Sequence, residues 1–207
     1  MRHPIVTFVG SASSPAQFPR DGLPEVAFLG RSNVGKSSLL NALAGNKGLA
    51  RVSGKPGHTR LVNFFRVAGP GPDLYLVDLP GYGYARLPQA ERQGFERMVT
   101  SYLLGRPPLA LCLFLVDARH EPMPGDLVLE GFLAQHGLPF AVAVMKTDKL
   151  TRGEVVRTKG QLERGLARHA RAVIPVSAVS RDGIDDLWTL IRSAVNGGRH
   201  EVSRDGH

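Results

Sequence analysis

The chain has 207 residues, of which 43% are hydrophobic and 21% are charged, a composition typical of one globular domain. Its longest apolar run, LALCLFLV over residues 109–116, is too short to cross a bilayer, so we expect no membrane-spanning helix. The single cysteine, Cys112, excludes an internal disulfide and agrees with a reducing compartment, which predicts a cytoplasmic protein.

The chain is strongly basic, because twenty arginines and six lysines outnumber the acidic residues and give a formal net charge of +8. This balance favours a polyanionic partner, and the planar arginine side chain suits contacts with phosphate. A solvated basic surface is the alternative. Charge alone therefore predicts a nucleic acid or ribonucleoprotein partner.

The first residues form an apolar segment that is too short for a signal peptide, and we expect residues 1–21 to add an extra strand at the edge of the main domain. Strand patterns then alternate with amphipathic helices across residues 22–196. The predicted strands cover residues 25–30, 61–67, 73–79, 109–118, 140–148 and 172–178. The predicted helices cover residues 36–44, 88–104, 124–136, 153–169 and 183–195.

These patterns predict an α/β fold. Continuous apolar strands separated by helices indicate a mostly parallel, six-stranded sheet with helices on both faces. The turn AGPGP joins runs 61–67 and 73–79 as an antiparallel hairpin, so one strand near the edge should run against the others. The polar segment 197–207 is expected to be a flexible tail.

A phosphate-binding loop follows the strand at 25–30. GRSNVGKSS matches G-x-x-x-x-G-K-[ST] between a strand and a helix, which is the context that this motif requires. Its backbone N–H groups would surround the phosphates at the positive end of the helix dipole. Lys36 would reach the β- and γ-phosphates, and the Ser37 hydroxyl would bind Mg²⁺. The residues predicted to line this loop are Gly30, Arg31, Ser32, Asn33, Val34, Gly35, Lys36, Ser37 and Ser38.

A second motif, DLPG, ends the strand at 73–79. Asp78 would hold Mg²⁺ through water, and the Gly81 N–H would bond the γ-phosphate, with Leu79 and Pro80 between them. Many phosphate-cleaving switches place a glutamine directly after this glycine to position the attacking water. Here that residue is Tyr82, whose side chain has no amide group with which to orient water.

Two further strand ends predict a guanine site. In MKTD, which comprises Met145, Lys146, Thr147 and Asp148, the Asp148 carboxylate would accept hydrogen bonds from guanine N1–H and N2–H₂. Adenine lacks this pair of donors, so the site should reject ATP. The Lys146 stem would lie over the base. The next strand end carries Val176, Ser177 and Ala178, of which Ala178 would offer its N–H to guanine O6.

At this point the sequence resembles a translation-factor-class GTPase, and specifically the EngB (YihA/YsxC) family within the TrmE-Era-EngA-EngB-Septin-like class. The segments that carry the resemblance are GLPEVAFLGRSNVGKSSLLNAL, SGKPGHTRLVNFF, VDLPGYGYA, MKTDKL and VSAVSRDGIDDL. They span most of the chain from about Gly22 to Ile191, and the YGYA and KPGHT segments are more specific than the phosphate loop.

The resemblance implies a P-loop GTPase (G domain) fold and a bacterial protein that assists assembly of the large ribosomal subunit. It also implies a link to cell division and septation. Carried over by position, Thr59 becomes a second Mg²⁺ ligand beside Ser37, with Gly57 and His58 near the phosphates. The family usually has Thr or Asn where this chain has Met145. In the family, that Thr or Asn side chain ties the strand end to the phosphate loop by hydrogen bonding.

Three hypotheses address the missing glutamine. A partner could reshape the switch or supply a catalytic group, an effect that reaches about 10³–10⁵ in rate for supplied arginines. A K⁺ ion bound by Asn33 could take the place of such an arginine, as in related GTPases with NVGKS loops. Alternatively, Tyr82 and Tyr84 form a docking surface that depends on the nucleotide. Lys36, Thr59, Gly81 and Asn33 are the candidate catalytic residues.

The sequence thus predicts a Mg²⁺-dependent protein that binds GTP and GDP, hydrolyses GTP slowly, and docks as a monomer on rRNA and proteins of the immature large subunit. Two alternatives stay open: a nucleotide-regulated RNA- or protein-binding module with incidental hydrolysis, and a P-loop kinase or ATPase acting on a small molecule. Two groups of basic residues would provide the docking contacts: Lys47, Arg51, Lys55, Arg60 and Arg66 near the first switch, and Arg152, Arg157, Lys159, Arg164, Arg168 and Arg171 on the later helix.

Overall fold

The computed structural model describes residues 4–46, 48–50, 61–82 and 89–201 of the chain. Its strands are β1 (Ile5–Ala12), β2 (Glu25–Gly30), β3 (Val62–Ala68), β4 (Leu74–Asp78), β5 (Leu109–Asp117), β6 (Phe140–Met145) and β7 (Val173–Val176). Its helices are α1 (Lys36–Ala44), α2 (Gln89–Gly105), α3 (Pro124–Gln135), α4 (Arg152–Arg164) and α5 (Ile184–Glu201). Short 3₁₀ turns cover Pro15–Gln17 and Thr147–Lys149.

The seven strands form one sheet in the order β1-β3-β4-β2-β5-β6-β7. Strand β3 pairs antiparallel with both β1 and β4, whereas the other four strand pairs are parallel. The predicted hairpin is therefore confirmed as β3–β4, and the single reversed strand lies second from the edge. The seventh strand is β1, which lies at the edge of the sheet beside β3.

The sheet carries helices on both faces, as predicted. Alternate residues of the central strands point to opposite faces because side chains in a strand have a period of two. One face packs against α1 and α5, where Leu39, Leu43 and Trp188 join the core. The other face packs against helices α2, α3 and α4, with Tyr102 and Leu133 among its buried residues.

The ends of two helices differ from the sequence expectation. Helix α4 ends at Arg164 rather than at residue 169, because Gly165 leaves helical geometry with φ −110° and ψ −105°. Helix α5 continues to Glu201, past the predicted end at residue 195 and into the segment expected to be a polar tail. Within the described part of the chain, no helix combines the length and apolarity that a membrane span needs.

Candidate nucleotide-binding site

The candidate site lies where five strands end on one edge of the sheet. Strand β2 ends at Gly30, β4 at Asp78, β5 at Asp117, β6 at Met145 and β7 at Val176. Ligands bind at this edge in open α/β sheets, because the carboxyl ends of parallel strands and the amino ends of the following helices converge there. Four of these five strand ends carry residues that the sequence motifs had singled out.

Lys36 and Asp78 form an ion pair at the centre of this edge. The Lys36 ammonium group donates to Asp78 Oδ1, and the two residues are only 9% and 3% exposed. Lys36 is the first residue of α1, and Asp78 is the last residue of β4. The structure therefore brings together the two charged groups that the separate phosphate motifs predicted, although they are 42 positions apart.

The segment after Asp78 lies directly on the phosphate loop. The Tyr82 N–H donates to the Gly30 carbonyl at 3.3 Å, and the Ser32 N–H donates to the Tyr82 carbonyl at 3.2 Å. Gly81 approaches so closely that a Cβ placed there would lie 3.1 Å from both Gly30 O and Ser32 N. A side chain at this position would push against the backbone of the phosphate loop, which favours the glycine that ends the DLPG motif. Leu79 and Pro80 are buried beneath it.

The side chain of Tyr82 points to helix α3. Its hydroxyl donates to Asp126 Oδ1 at 2.6 Å, and its ring lies on Gly125, where an added Cβ would be 3.3 Å from Tyr82 Cδ2. Burial, together with the hydrogen bond to Asp126, raises the pKa of Tyr82 far above its usual value. The phenol therefore stays protonated and donates. No sequence motif predicted this contact.

The predicted base-reading residues also meet. The Ser177 hydroxyl donates to Asp148 Oδ1 at 2.9 Å, and it accepts the backbone N–H groups of Val179 and Ser180. The hydrogen bond from Ser177, followed by the interaction with Lys149, lowers the pKa of Asp148. Asp148 is thereby oriented and kept ionised, as a carboxylate that accepts two guanine hydrogen bonds must be.

Lys146 links the base side to the phosphate loop. Its Nζ donates to the Asn33 carbonyl at 2.8 Å and to Asp117 Oδ2 at 2.8 Å. Arg119 also binds Asp117, through both oxygens of the carboxylate. Burial raises the pKa of Asp117, but the hydrogen bonds from Arg119 and Lys146 outweigh it, and this pKa lies well below its usual value.

Sequence reasoning missed Asp117 and Arg119. The available signal was the position of Asp117 at the carboxyl end of a buried strand, between two strand ends that were assigned to the site. Both residues border a cavity of about 220 Å³ between the phosphate loop and the loop after β5, together with Arg31, Asn33 and His120.

Met145 contacts the phosphate loop by apolar packing. Its side chain is 1% exposed, and its Cε would lie 3.4 Å from a Cβ placed on Gly35. Apolar contact thus joins this strand end to the phosphate loop, while Lys146 supplies a hydrogen bond to the loop. Thr147, the next residue of the motif, is buried.

The predicted first switch falls outside the described residues. The described residues do not include its members Gly57, His58 and Thr59. They also do not include Tyr84 of the second switch or the basic residues Lys47, Arg51, Lys55 and Arg60. The segment that leads into the first switch is described, and helix α1 fixes it. Asn41 donates to the Ala50 carbonyl at 2.9 Å and accepts the Ala50 N–H at 2.7 Å.

The donor set suits a hard divalent cation that also binds phosphate. Asp78 supplies a buried carboxylate beside the phosphate loop, and Ser37, the next residue after Lys36, supplies a hydroxyl. Mg²⁺ prefers oxygen ligands and is usually held by one or two side chains plus substrate phosphates and water. Among the described residues, no group of three or more His, Cys, Asp and Glu side chains could hold a metal without such a ligand.

Comparison with known proteins agrees with this geometry. A family model described as 50S ribosome-binding GTPase matches residues 25–146. A probable GTP-binding protein EngB from Geobacter metallireducens is 43% identical over 96% of each chain. One from Chlorobaculum tepidum is 45% identical over 89% of this chain and 94% of its own. This chain belongs to the EngB family.

A solved structure agrees with the assignment. The crystal structure of a probable EngB GTP-binding protein superposes with a TM-score of 0.66 at 25% identity, over 84% of this chain and 99% of that one. As an EngB family GTPase, the protein binds guanine nucleotides and hydrolyses GTP. The expected P-loop GTPase fold is thereby confirmed, and membership of a GTPase family disfavours the small-molecule kinase alternative.

Proposed function

We propose that the protein is a Mg²⁺-dependent GTP switch that assists assembly of the large ribosomal subunit in the bacterial cytoplasm, with a consequent link to cell division and septation. Ser37 and Asp78, together with Thr59, would hold the Mg²⁺ ion. When bound, the ion would neutralise the negative charge that develops on the phosphates. The description of the matching family model, which names 50S ribosome binding, supports the choice of partner.

The observation that carries the proposal is the basic face of α4. This helix begins at Arg152, four positions after the base-reading Asp148. Arg157 and Arg164 are exposed and lie seven residues apart, which places them on the same side of the helix two turns apart. Arg168 and Arg171, which are also exposed, lie just after the end of α4. This face would contact rRNA phosphates largely without regard to base sequence.

The test compares two charge-neutralised proteins. In one, Arg157→Gln and Arg164→Gln remove two charges from α4, and in the matched control Arg20→Gln and Arg97→Gln remove two exposed charges elsewhere. Binding to purified immature large subunits is measured with a non-hydrolysable GTP analogue at several salt concentrations. Each lost phosphate contact should reduce the slope of log K against log salt by about one. Equal slopes for all three proteins would contradict docking through α4.

GTP turnover by the wild-type protein separates the hydrolysis hypotheses. Stimulation by the particle supports a site that the partner completes, whereas a rate that is higher in KCl than in NaCl without the particle supports a K⁺ ion at Asn33. Asn33 is exposed and has a positive φ of 64°. Particle binding that depends on the nucleotide while turnover stays flat in all conditions would favour the alternative of a binding module with incidental hydrolysis.

A further inference from the structure

The contact between the second switch and helix α3 involves a buried carboxylate. Asp126 is only 4% exposed, and both of its oxygens accept hydrogen bonds. Oδ1 accepts the Tyr82 hydroxyl at 2.6 Å, and Oδ2 accepts the Met123 N–H at 2.8 Å at the start of α3. One oxygen therefore stabilises the helix, while the other holds a residue of the switch. Burying a carboxylate is costly unless such donors satisfy it, so removal of either donor has consequences.

Tyr82 is held at three points. Its N–H and its carbonyl pair with the phosphate loop at Gly30 and Ser32, and its hydroxyl is held by Asp126. Because Gly81 immediately precedes this anchored residue, its backbone cannot move away from the loop without breaking these contacts. The isolated parallel bridge between Arg31 and Tyr82 extends the pairing of β2 and β4 past the ends of both strands.

The position of Gly81 should affect binding of the γ-phosphate in particular. The Gly81 N–H is predicted to bond the γ-phosphate, which GTP has and GDP lacks. A device that fixes Gly81 against the phosphate loop therefore favours GTP over GDP, whereas a device that merely stabilises the fold favours neither. The preference for GTP over GDP can shift only if the protein interacts differently with the two nucleotides.

We propose that Asp126 is a positioning residue for the γ-phosphate: through Tyr82 it fixes Gly81 against the phosphate loop, and it thereby sets the preference of the protein for GTP over GDP. Asp126 acts from α3 without touching the nucleotide. Tyr82, which occupies the place of the usual glutamine, connects α3 to the phosphate loop through its hydrogen bonds. The inference rests on nucleotide binding by the EngB fold and does not depend on the ribosomal partner.

The test measures the dissociation constants of GDP and of a non-hydrolysable GTP analogue for Tyr82→Phe, Asp126→Ala and the double variant. The chain supplies a matched control, because the Tyr75 hydroxyl donates to Asp21 Oδ2 at 2.8 Å near the amino ends of β2 and β4, whereas the phosphate motifs lie at the carboxyl ends of these strands. Tyr75→Phe removes the same kind of hydrogen bond. A fifth variant, Asp126→Asn, retains an oxygen that can cap α3 and separates loss of the helix start from loss of the contact between Tyr82 and Asp126.

Both single variants should shift the ratio of the two constants toward GDP by at least about fivefold, the lower end of typical coupling between sites. The double variant should shift it no further than the larger single effect, since both changes break one contact. Tyr75→Phe should leave the ratio unchanged, and Asp126→Asn should fall between wild type and Asp126→Ala. Equal weakening of both nucleotides, a shift toward GTP, or additive effects in the double variant would overturn the proposal. These measurements need no ribosomal particle, so failure of the docking proposal would leave them unaffected.

Discussion

At the scale of single residues, Gly183 illustrates a constraint next to the base-reading loop. It lies just before α5 with φ +75°, and a Cβ placed on it would be 2.1 Å from the Pro175 carbonyl oxygen of β7. This oxygen belongs to backbone, so a flexible side chain cannot relieve the clash. Strand β7 ends at Val176, from which Ser177 and Ala178 continue into the loop.

We therefore expect Gly183→Ala to lower the free energy of unfolding by about 2–5 kcal/mol, combining the left-handed backbone cost with forced displacement of β7. Affinity for GDP and for a GTP analogue should fall by the same factor, because the displaced loop carries the predicted base contacts and both nucleotides share the base. Chemical denaturation and nucleotide titration measure the two effects. The control is Gly137→Ala, at φ +61° with nothing within 4 Å of its added Cβ, where only the backbone cost of about 1 kcal/mol should appear. Equal losses in the two variants would contradict the role of the clash.

At the scale of secondary-structure elements, a buried charge cluster joins the start of β2 to the end of α2. Glu25 is fully buried and accepts the Tyr102 hydroxyl at 2.6 Å and the Arg106 Nε at 2.9 and 3.0 Å. Arg106 also donates to the Pro19 carbonyl at 2.6 Å. The cluster thereby fastens the segment between β1 and β2 to the helix that follows the second switch.

Breaking this cluster from one side should be costly. Arg106→Met leaves the fully buried Glu25 without its ion-pair partner, and loss of one partner from a buried ion pair costs about 3–5 kcal/mol of unfolding free energy. The double variant Arg106→Met with Glu25→Gln removes the charge and keeps an acceptor for Tyr102, so it should recover most of the loss. Urea denaturation of the two single variants and the double variant gives the interaction free energy. A double variant no more stable than Arg106→Met would show that the buried charge is not the cause.

Some elements of the fold and of the candidate site could be predicted from the sequence. The phosphate loop, the DLPG segment and the MKTD motif were predictable because each is a short run of consecutive residues with its own chemistry. Helix α1 was predicted at its observed bounds for the same reason, since the phosphate motif fixes its start and Gly45 follows its end. The basic pattern of α4 continues past Arg164, so only the backbone geometry of Gly165 revealed where the helix ends.

Contacts between distant elements could not be predicted in this way. The hydrogen bond between Tyr82 and Asp126 spans 44 positions, and that between Glu25 and Tyr102 spans 77. The sequence motifs assign no role to either acidic residue, and an acidic side chain would ordinarily be expected to face the solvent. Their burial follows from how α2 and α3 pack on the sheet, which is a property of the tertiary structure that propensity and periodicity do not encode.

At the scale of the whole molecule, the response to acid follows from carboxylates at the nucleotide end of the sheet. Asp117 and Asp148, whose ordinary pKa is 3.8, and Glu154, whose ordinary pKa is 4.5, all have lowered pKa values in the fold. Glu154 owes the shift first to the Thr151 N–H that it accepts at the start of α4. All three lie on or next to the segments that are predicted to contact the base, so protonation of these groups affects one end of the molecule.

A carboxylate with a lower pKa in the folded than in the unfolded protein contributes stability above its unfolded pKa, and this contribution is lost as the pH falls through the folded value. The free energy of unfolding should therefore decline once the pH falls below about 4.5. Asp117→Asn removes the carboxylate held by Arg119 and Lys146, so it should lower stability at pH 7 and flatten the acid decline, and the difference between the two proteins should shrink progressively as the pH falls below about 4. Urea denaturation at a series of pH values measures this, with the exposed Asp186→Asn on α5 as the control. A constant difference between wild type and Asp117→Asn at every pH would mean that the loss comes from packing, and that the ion pairs of Asp117 contribute nothing to the folded state.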